Sequence, residues 1–108
     1  MIAVAADKNG KIWKGHFGIS PVYLLFDNNG NPVETKTNPF AAGEKGHQHH
    51  DDPKLIVNLL SDCGVFIAKR MGDQSKKNLV EKMNVIPFIT EKENPSDAVK
   101  DYFEFKGK

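Results

Sequence analysis

The chain opens on an unbroken apolar run, Met1-Ile2-Ala3-Val4-Ala5-Ala6, stopped by Asp7-Lys8-Asn9-Gly10. A strand with one face in water alternates apolar and polar residues, so a continuous run ended by a turn marks a strand covered on both faces. Such a strand belongs at the centre of a sheet with other elements packed above and below it. This restricts the chain to a layered architecture before any other segment is read.

The remaining segments supply the other layers. Pro21-Val22-Tyr23-Leu24-Leu25-Phe26 reads as a second strand, Asn28-Asn29-Gly30-Asn31 as a turn rich in residues that tolerate positive φ, and Val33 to Thr37 as a more exposed third strand. From Asn38 to His50 the composition turns to Gly, Ala, Pro and polar residues without periodicity, a loop of about thirteen residues. Asp51 or Asp52 can cap a helix that takes Pro53 at its first position and carries Leu55, Ile56, Leu59 and Leu60 on one face before Gly64. Val65-Phe66-Ile67-Ala68 is a buried strand, and Arg70-Met71-Gly72-Asp73 turns into a helix from Gln74 to Met83. Val85 to Ile89 is the last strand, which Pro87 confines to a sheet edge because it cannot donate a ladder hydrogen bond. Asn94-Pro95 starts a closing helix in which Ala98, Tyr102 and Phe105, or Val99 and Phe103, face inward.

Strands joined through helices run parallel with right-handed crossovers, whereas the hairpin pairs antiparallel. The expected fold is therefore α/β, a five-stranded mixed sheet in the order 3-2-1-4-5 flanked by helices. With strand 1 in the middle, the loops after strands 1 and 4 emerge at the same end, where open α/β sheets bind ligands.

At 108 residues, with 27% charged and 39% hydrophobic side chains, residues 1–108 fit one domain. The formal net charge of +1 provides no field to attract nucleic acid or an anionic membrane, so neither is expected as a partner. The single cysteine, Cys63, cannot form an intramolecular disulfide or an all-cysteine metal site, and we read it as structural. The apolar start is too short for a signal-peptide core, and no run approaches the roughly 20 apolar residues of a membrane span. A soluble, cytoplasmic protein is expected.

All four histidines lie in two loops: His16 within Gly15-His16-Phe17-Gly18, and His47, His49 and His50 before the first helix. Neutral imidazole is a common metal ligand, so this distribution points to a metal or metal-cluster site. Gly15 and Gly18 let the backbone approach a ligand, and Phe17 can pack underneath and fix the ring's direction. The alternative for His16 is a turn histidine bonded to backbone. His47 and His49, two apart, point to one side of an extended segment and can chelate. A structural zinc ion wants four ligands, so they need His16, Asp51, Asp52, water or a second chain; otherwise they are solvated side chains that take up stray divalent metal. The first helix aims free N–H groups at this loop, whereas Asp51 and Asp52 favour a bare cation. Lys69 and Arg70, after strand 4, balance the charge of an anionic ligand or are simply solvated.

In order along the chain, Gly15-His16-Phe17-Gly18, Pro21-Val22-Tyr23-Leu24-Leu25-Phe26-Asp27, Asn38-Pro39-Phe40, the histidine loop, Leu60-Ser61-Asp62-Cys63-Gly64-Val65 and the Met71-Gly72 turn resemble the dinitrogenase iron-molybdenum cofactor-binding domains over nearly the whole chain. That resemblance implies a ribonuclease-H-like α/β fold. It further implies binding, carrying or protecting an iron-molybdenum or iron-sulfur type cluster without turnover, with a divalent metal such as zinc as the alternative. It places His16 at the family's His-Phe-Gly histidine, the histidine loop at a variable segment, and Arg70, Met71 and Gly72 at the second ligand-facing turn. There the chain departs from the family by opening its helix with Asp73 rather than a small residue. The implied partner is a protein that donates or receives a cluster.

Two other classes compete. A ribonuclease-H-like metal-dependent enzyme would use Asp7, Asp51, Asp52 or Asp73 to hold divalent ions, but the middle of strand 1 offers no carboxylate. A cofactor-free interaction or regulatory module would use an exposed strand edge to self-associate, as a monomer or weak homo-oligomer.

Overall fold

The computed structural model describes residues 1–39 and 53–107. Five strands, β1 (Ile2–Ala6), β2 (Val22–Phe26), β3 (Pro32–Thr37), β4 (Val65–Ala68) and β5 (Ile86–Ile89), form one sheet in the order β3-β2-β1-β4-β5. Helices α1 (Pro53–Leu59), α2 (Asp73–Lys82) and α3 (Pro95–Lys106) flank it. β1 pairs antiparallel with β2 and parallel with β4, β2 pairs antiparallel with β3, and β4 pairs parallel with β5. Order and polarity are those expected from the alternation of strands and helices.

Period-two geometry divides the sheet into two faces. Ala3, Ala5, Tyr23, Leu25, Phe66 and Ala68 pack with Phe17, Ile56, Leu60, Leu79 and Val85 on the side of α1 and α2. Ile2, Val4, Phe26, Val65 and Ile67 pack with Ala98, Val99 and Tyr102 of α3 on the other. Every residue of β1 is buried because both its faces are covered, which is why its sequence does not alternate. Cys63 belongs to the first core, where burial above all pushes its thiol up from the ordinary value.

α2 begins at Asp73 and ends at Lys82, one residue earlier at each end than expected, and β5 begins at Ile86. α3 has the expected Asn94 cap, whose side chain accepts from the Ser96 amide at 2.9 Å. Its inward face is Ala98, Val99 and Tyr102 with Phe103 half-buried, whereas Phe105, expected inward, is 63% exposed. Phe105 instead meets Phe88 of β5 at a ring-centroid distance of 5.5 Å. The histidine loop, the capping by Asp51 or Asp52 and the inward face of Leu55 lie outside the described residues and side chains.

Candidate functional site

β1, β4 and β5 run parallel, so their carboxyl ends, Ala6, Ala68 and Ile89, share one end of the sheet. After Ala6 the chain reverses at once. The Asp7 carboxylate accepts from the amides of Asn9 at 2.8 Å and Lys11 at 3.0 Å, and Gly10 supplies the positive φ of 83° that closes the turn. The same device recurs at Asp27, Asn29, Asn31 and Gly30, with φ 87°. Ile12 then bridges back to Ala6, its amide donating to the Glu93 carbonyl at 2.9 Å, and the Trp13 amide donates to Ala5 at 3.0 Å. The loop is thus strapped to the sheet end before it reaches His16.

Gly15 is required here by a neighbour. A Cβ at this position would stand 2.8 Å from Nε1 and 3.1 Å from Cε2 of Trp13, so the indole occupies the space a side chain would need. The next residue, His16, is exposed. Its backbone forms a parallel bridge with Arg70, and the Phe17 amide donates to the Arg70 carbonyl at 3.0 Å. Phe17 turns inward, 4% exposed, stacking on Phe66 at 4.6 Å and tilting against Tyr23 at 4.8 Å.

The short 3₁₀ turn Phe17–Ile19 is held from below by buried polar groups. The Tyr23 hydroxyl donates to the Phe17 carbonyl at 2.6 Å, and Asn38 Nδ2 lies 3.0 Å from the Gly18 carbonyl, 2.9 Å from that of Ser20 and 3.2 Å from the Tyr23 hydroxyl oxygen. The Ala6 amide donates to the Ser20 hydroxyl at 3.0 Å. Burial drives the Tyr23 hydroxyl far above the ordinary tyrosine range, so it stays a donor. His16 is therefore a solvent-facing imidazole on a backbone clamped from both sides.

In front of it opens a recess of ≈ 350 Å³ lined by His16, Lys69, Arg70, Met71, Lys76 and Ile89. No acidic side chain is among these residues. Lys69, only 16% exposed, is bound at 2.6 Å by Glu93, whose carboxyl it holds below the usual range. Lys76, in the first turn of α2, is 3.5 Å from the fully exposed Asp73 carboxylate. Arg70 makes no ion pair among the described residues. The departure at Asp73 thus turns to solvent rather than into the recess. Met71 packs against the first core, and Gly72, with φ −64°, precedes α2 without capping it through a side chain.

The structure therefore brings together His16, Arg70 and Met71, as the strand order required. His47, His49 and His50 lie outside the described residues. Lys76, Ile89 and the Lys69–Glu93 pair escaped sequence reading; the one available signal was that Lys76 falls in the first turn of the helix that the Arg70 turn opens. Asp7, a candidate for ion binding, is engaged in closing its own turn.

A bare divalent ion needs three or four donors, and among the described residues no group of three His, Cys, Asp or Glu side chains converges. A preassembled cluster carries its own sulfides and negative charge, and asks of a protein only terminal ligation and countercharge. One imidazole with two or three cations fits that second demand.

The family model described as dinitrogenase iron-molybdenum cofactor matches residues 1–104. The chain belongs to that family. No curated protein matches it. An NMR structure of a Thermotoga protein described as a NifB protein of the DUF35 family aligns with a TM-score of 0.67 at 20% identity, covering 95% of this chain and 86% of that one. At that identity the likeness shows a common fold. In this chain the His16-Phe17-Gly18 segment is the clamped turn at the sheet end. No described helix is long and apolar enough to cross a membrane.

Proposed function

We propose that the chain carries or shelters an anionic iron-molybdenum or iron-sulfur type cluster, without turnover, at the end of a ribonuclease-H-like sheet in a reducing cytoplasm. The observation that supports this most directly is the exposed His16 imidazole beside Arg70 and Lys76 in a recess with no acidic side chain among the described residues of its lining. In this reading neutral His16 supplies a terminal ligand to one cluster metal, as thiolate-poor sites do with imidazole. Arg70 and Lys76 offset the cluster's charge, and Met71 and Ile89 exclude water on one flank. Gly15, Phe17, Gly18 and Gly72 act through the backbone, by setting where His16 and Arg70 stand. A cluster-donating or cluster-receiving protein is the implied partner, and open access to the recess suits a cargo that must leave again.

The test is anaerobic mixing of the purified, untagged chain with extracted iron-molybdenum cofactor or a synthetic iron-sulfur cluster bearing exchangeable terminal ligands. Gel filtration with metal analysis and visible absorption then reads what co-elutes. The cluster should travel with the protein, be lost with His16→Ala, and bind more weakly and with less salt dependence with Arg70→Ala. Undiminished loading of His16→Ala would remove the basis of the proposal.

A further inference from the structure

Among the described residues the sheet ends in two open strands that are built differently. At β5 the amides of Ile86 and Thr90 donate inward to Gly64 and Ala68, each at 2.9 Å, so the alternate residues Pro87 and Ile89 turn their backbone outward. Pro87 has no N–H to give, which blunts that edge against strand addition. At β3 the Asn38 amide donates inward to Pro21 at 3.0 Å, so by the same alternation Glu34 and Lys36 face β2 and Thr35 and Thr37 face outward. No proline interrupts this outward set, and its β-branched residues suit an extended partner.

The charge pattern of this edge is complementary to itself. We propose that β3 is the seam of a symmetric homodimer, two copies pairing antiparallel about Thr35. A two-fold axis there places Thr35 opposite Thr35 as a hydrogen-bonded pair and Val33 opposite Thr37. It places Glu34 of each copy opposite Lys36 of the other in the closely spaced, non-hydrogen-bonded positions where cross-strand charges interact most strongly. Glu34 is exposed, and neither it nor Lys36 has an ion-pair partner among the described residues. The Lys36 ammonium donates to the Leu59 carbonyl at 3.1 Å in the single chain, and on pairing it exchanges that carbonyl for the Glu34 carboxylate of the second copy. Val33, 51% exposed, sits where the β2–β3 register shifts between Leu25 and Phe26. That irregularity ends the regular edge and keeps the seam short. With β5 blunted by Pro87, the pairing closes on itself as a dimer and does not propagate into a fibre.

A seam this short falls below the size of a stable interface, so the association is expected to be weak and reversible. Sedimentation velocity of the full chain from about 10 µM to about 1 mM should show a reversible monomer–dimer equilibrium. Thr35→Pro removes an outward N–H and leaves the bonds to β2 in place, and it should abolish the dimer. Glu34→Lys and Lys36→Glu each set like charges opposite one another and should each weaken association about tenfold; mixed in equal amounts they should form the heterodimer. If a variant fails to fold by circular dichroism, raising the salt on the native chain reads the same charge pairs and should favour monomer. A chain that stays monomeric throughout, or a dimer indifferent to Thr35→Pro and to mixing the charge variants, overturns the proposal.

Discussion

The amide of Phe17 donates to the carbonyl of Arg70 across 3.0 Å, joining the loop after β1 to the turn after β4. Because His16 and Arg70 themselves form the adjoining bridge, an imidazole and a guanidinium separated by more than fifty residues of chain are carried on one short piece of paired backbone. Below it the Phe17 ring lies between Phe66 and Tyr23. The reactive-looking side chain is outside, and its anchor is the next residue inward.

Phe17→Ala should therefore cost both stability and binding. Removing a buried, stacked ring destabilises by about 3–4 kcal/mol, read as a lower urea midpoint. Phe17→Leu fills most of the volume and should lose only about 1–1.5 kcal/mol. If anchoring is the point, cluster loading should follow the same order, Phe17 above Leu above Ala, at temperatures where all three are folded.

The meeting of His16 and Arg70 was legible because it depends only on topology. A fully apolar β1 must be central, helix-linked β4 must run parallel to it, and the loops leaving two parallel neighbours must emerge together. Pro87 marked its edge for an equally local reason, a missing donor. What could not be read were contacts made by residues with no periodicity to betray them. Ile12 and Trp13 return along β1, Trp13 covers Gly15, and Lys69 finds Glu93 from the segment after β5. In the sequence Gly15 looks like a space kept for a ligand, whereas the space is filled by an indole. Phe105 has the right helical spacing to be buried, but the sheet below it ends at β5.

Gly15→Ala tests that reassignment. A Cβ 2.8 Å from Trp13 Nε1 forces the indole or the His16 turn to move, at a cost of about 1–3 kcal/mol. Trp13 is the single tryptophan, and its Nε1 is buried without a hydrogen-bond partner among the described residues. Its emission should shift to the red as the ring is pushed toward water. A glycine kept only for ligand approach would leave the emission of the free protein unchanged.

Tyr23→Phe removes the hydroxyl that donates to Phe17 and lies near Asn38, and should cost about 1–2 kcal/mol at neutral pH. The pH dependence has a definite sign. Burial raises the folded-state value of the Tyr23 hydroxyl, so its contribution is complete below the unfolded value of about 10 and is lost as pH rises beyond it. Urea midpoints of the native chain should fall above about pH 10, and those of Tyr23→Phe should fall less steeply. The raised Cys63 thiol acts in the same direction from about pH 8.5, so Cys63→Ala should delay the onset of the decline.

Glu93 engages one of the cations that line the recess. Its carboxylate holds Lys69 at 2.6 Å, so one of the cations facing a bound anion is already neutralised. Glu93→Gln should free that charge and tighten the binding of an anionic cluster several-fold, with a steeper loss of affinity in salt. The Ile12 amide bonds to the Glu93 backbone, so the loop keeps its strap in the variant. The pair's own effect on stability is small because Glu93 is exposed, and it too has a sign. Lys69 lowers the folded-state value of the Glu93 carboxyl, so the contribution is present above the usual glutamate range and is lost as pH falls through the lowered value. Lys69→Met supplies the converse, since it should weaken cluster binding and make the Glu93→Gln substitution silent. Gain from Glu93→Gln that persists in the Lys69→Met background would show that the carboxylate repels the ligand directly and does not act through the lysine.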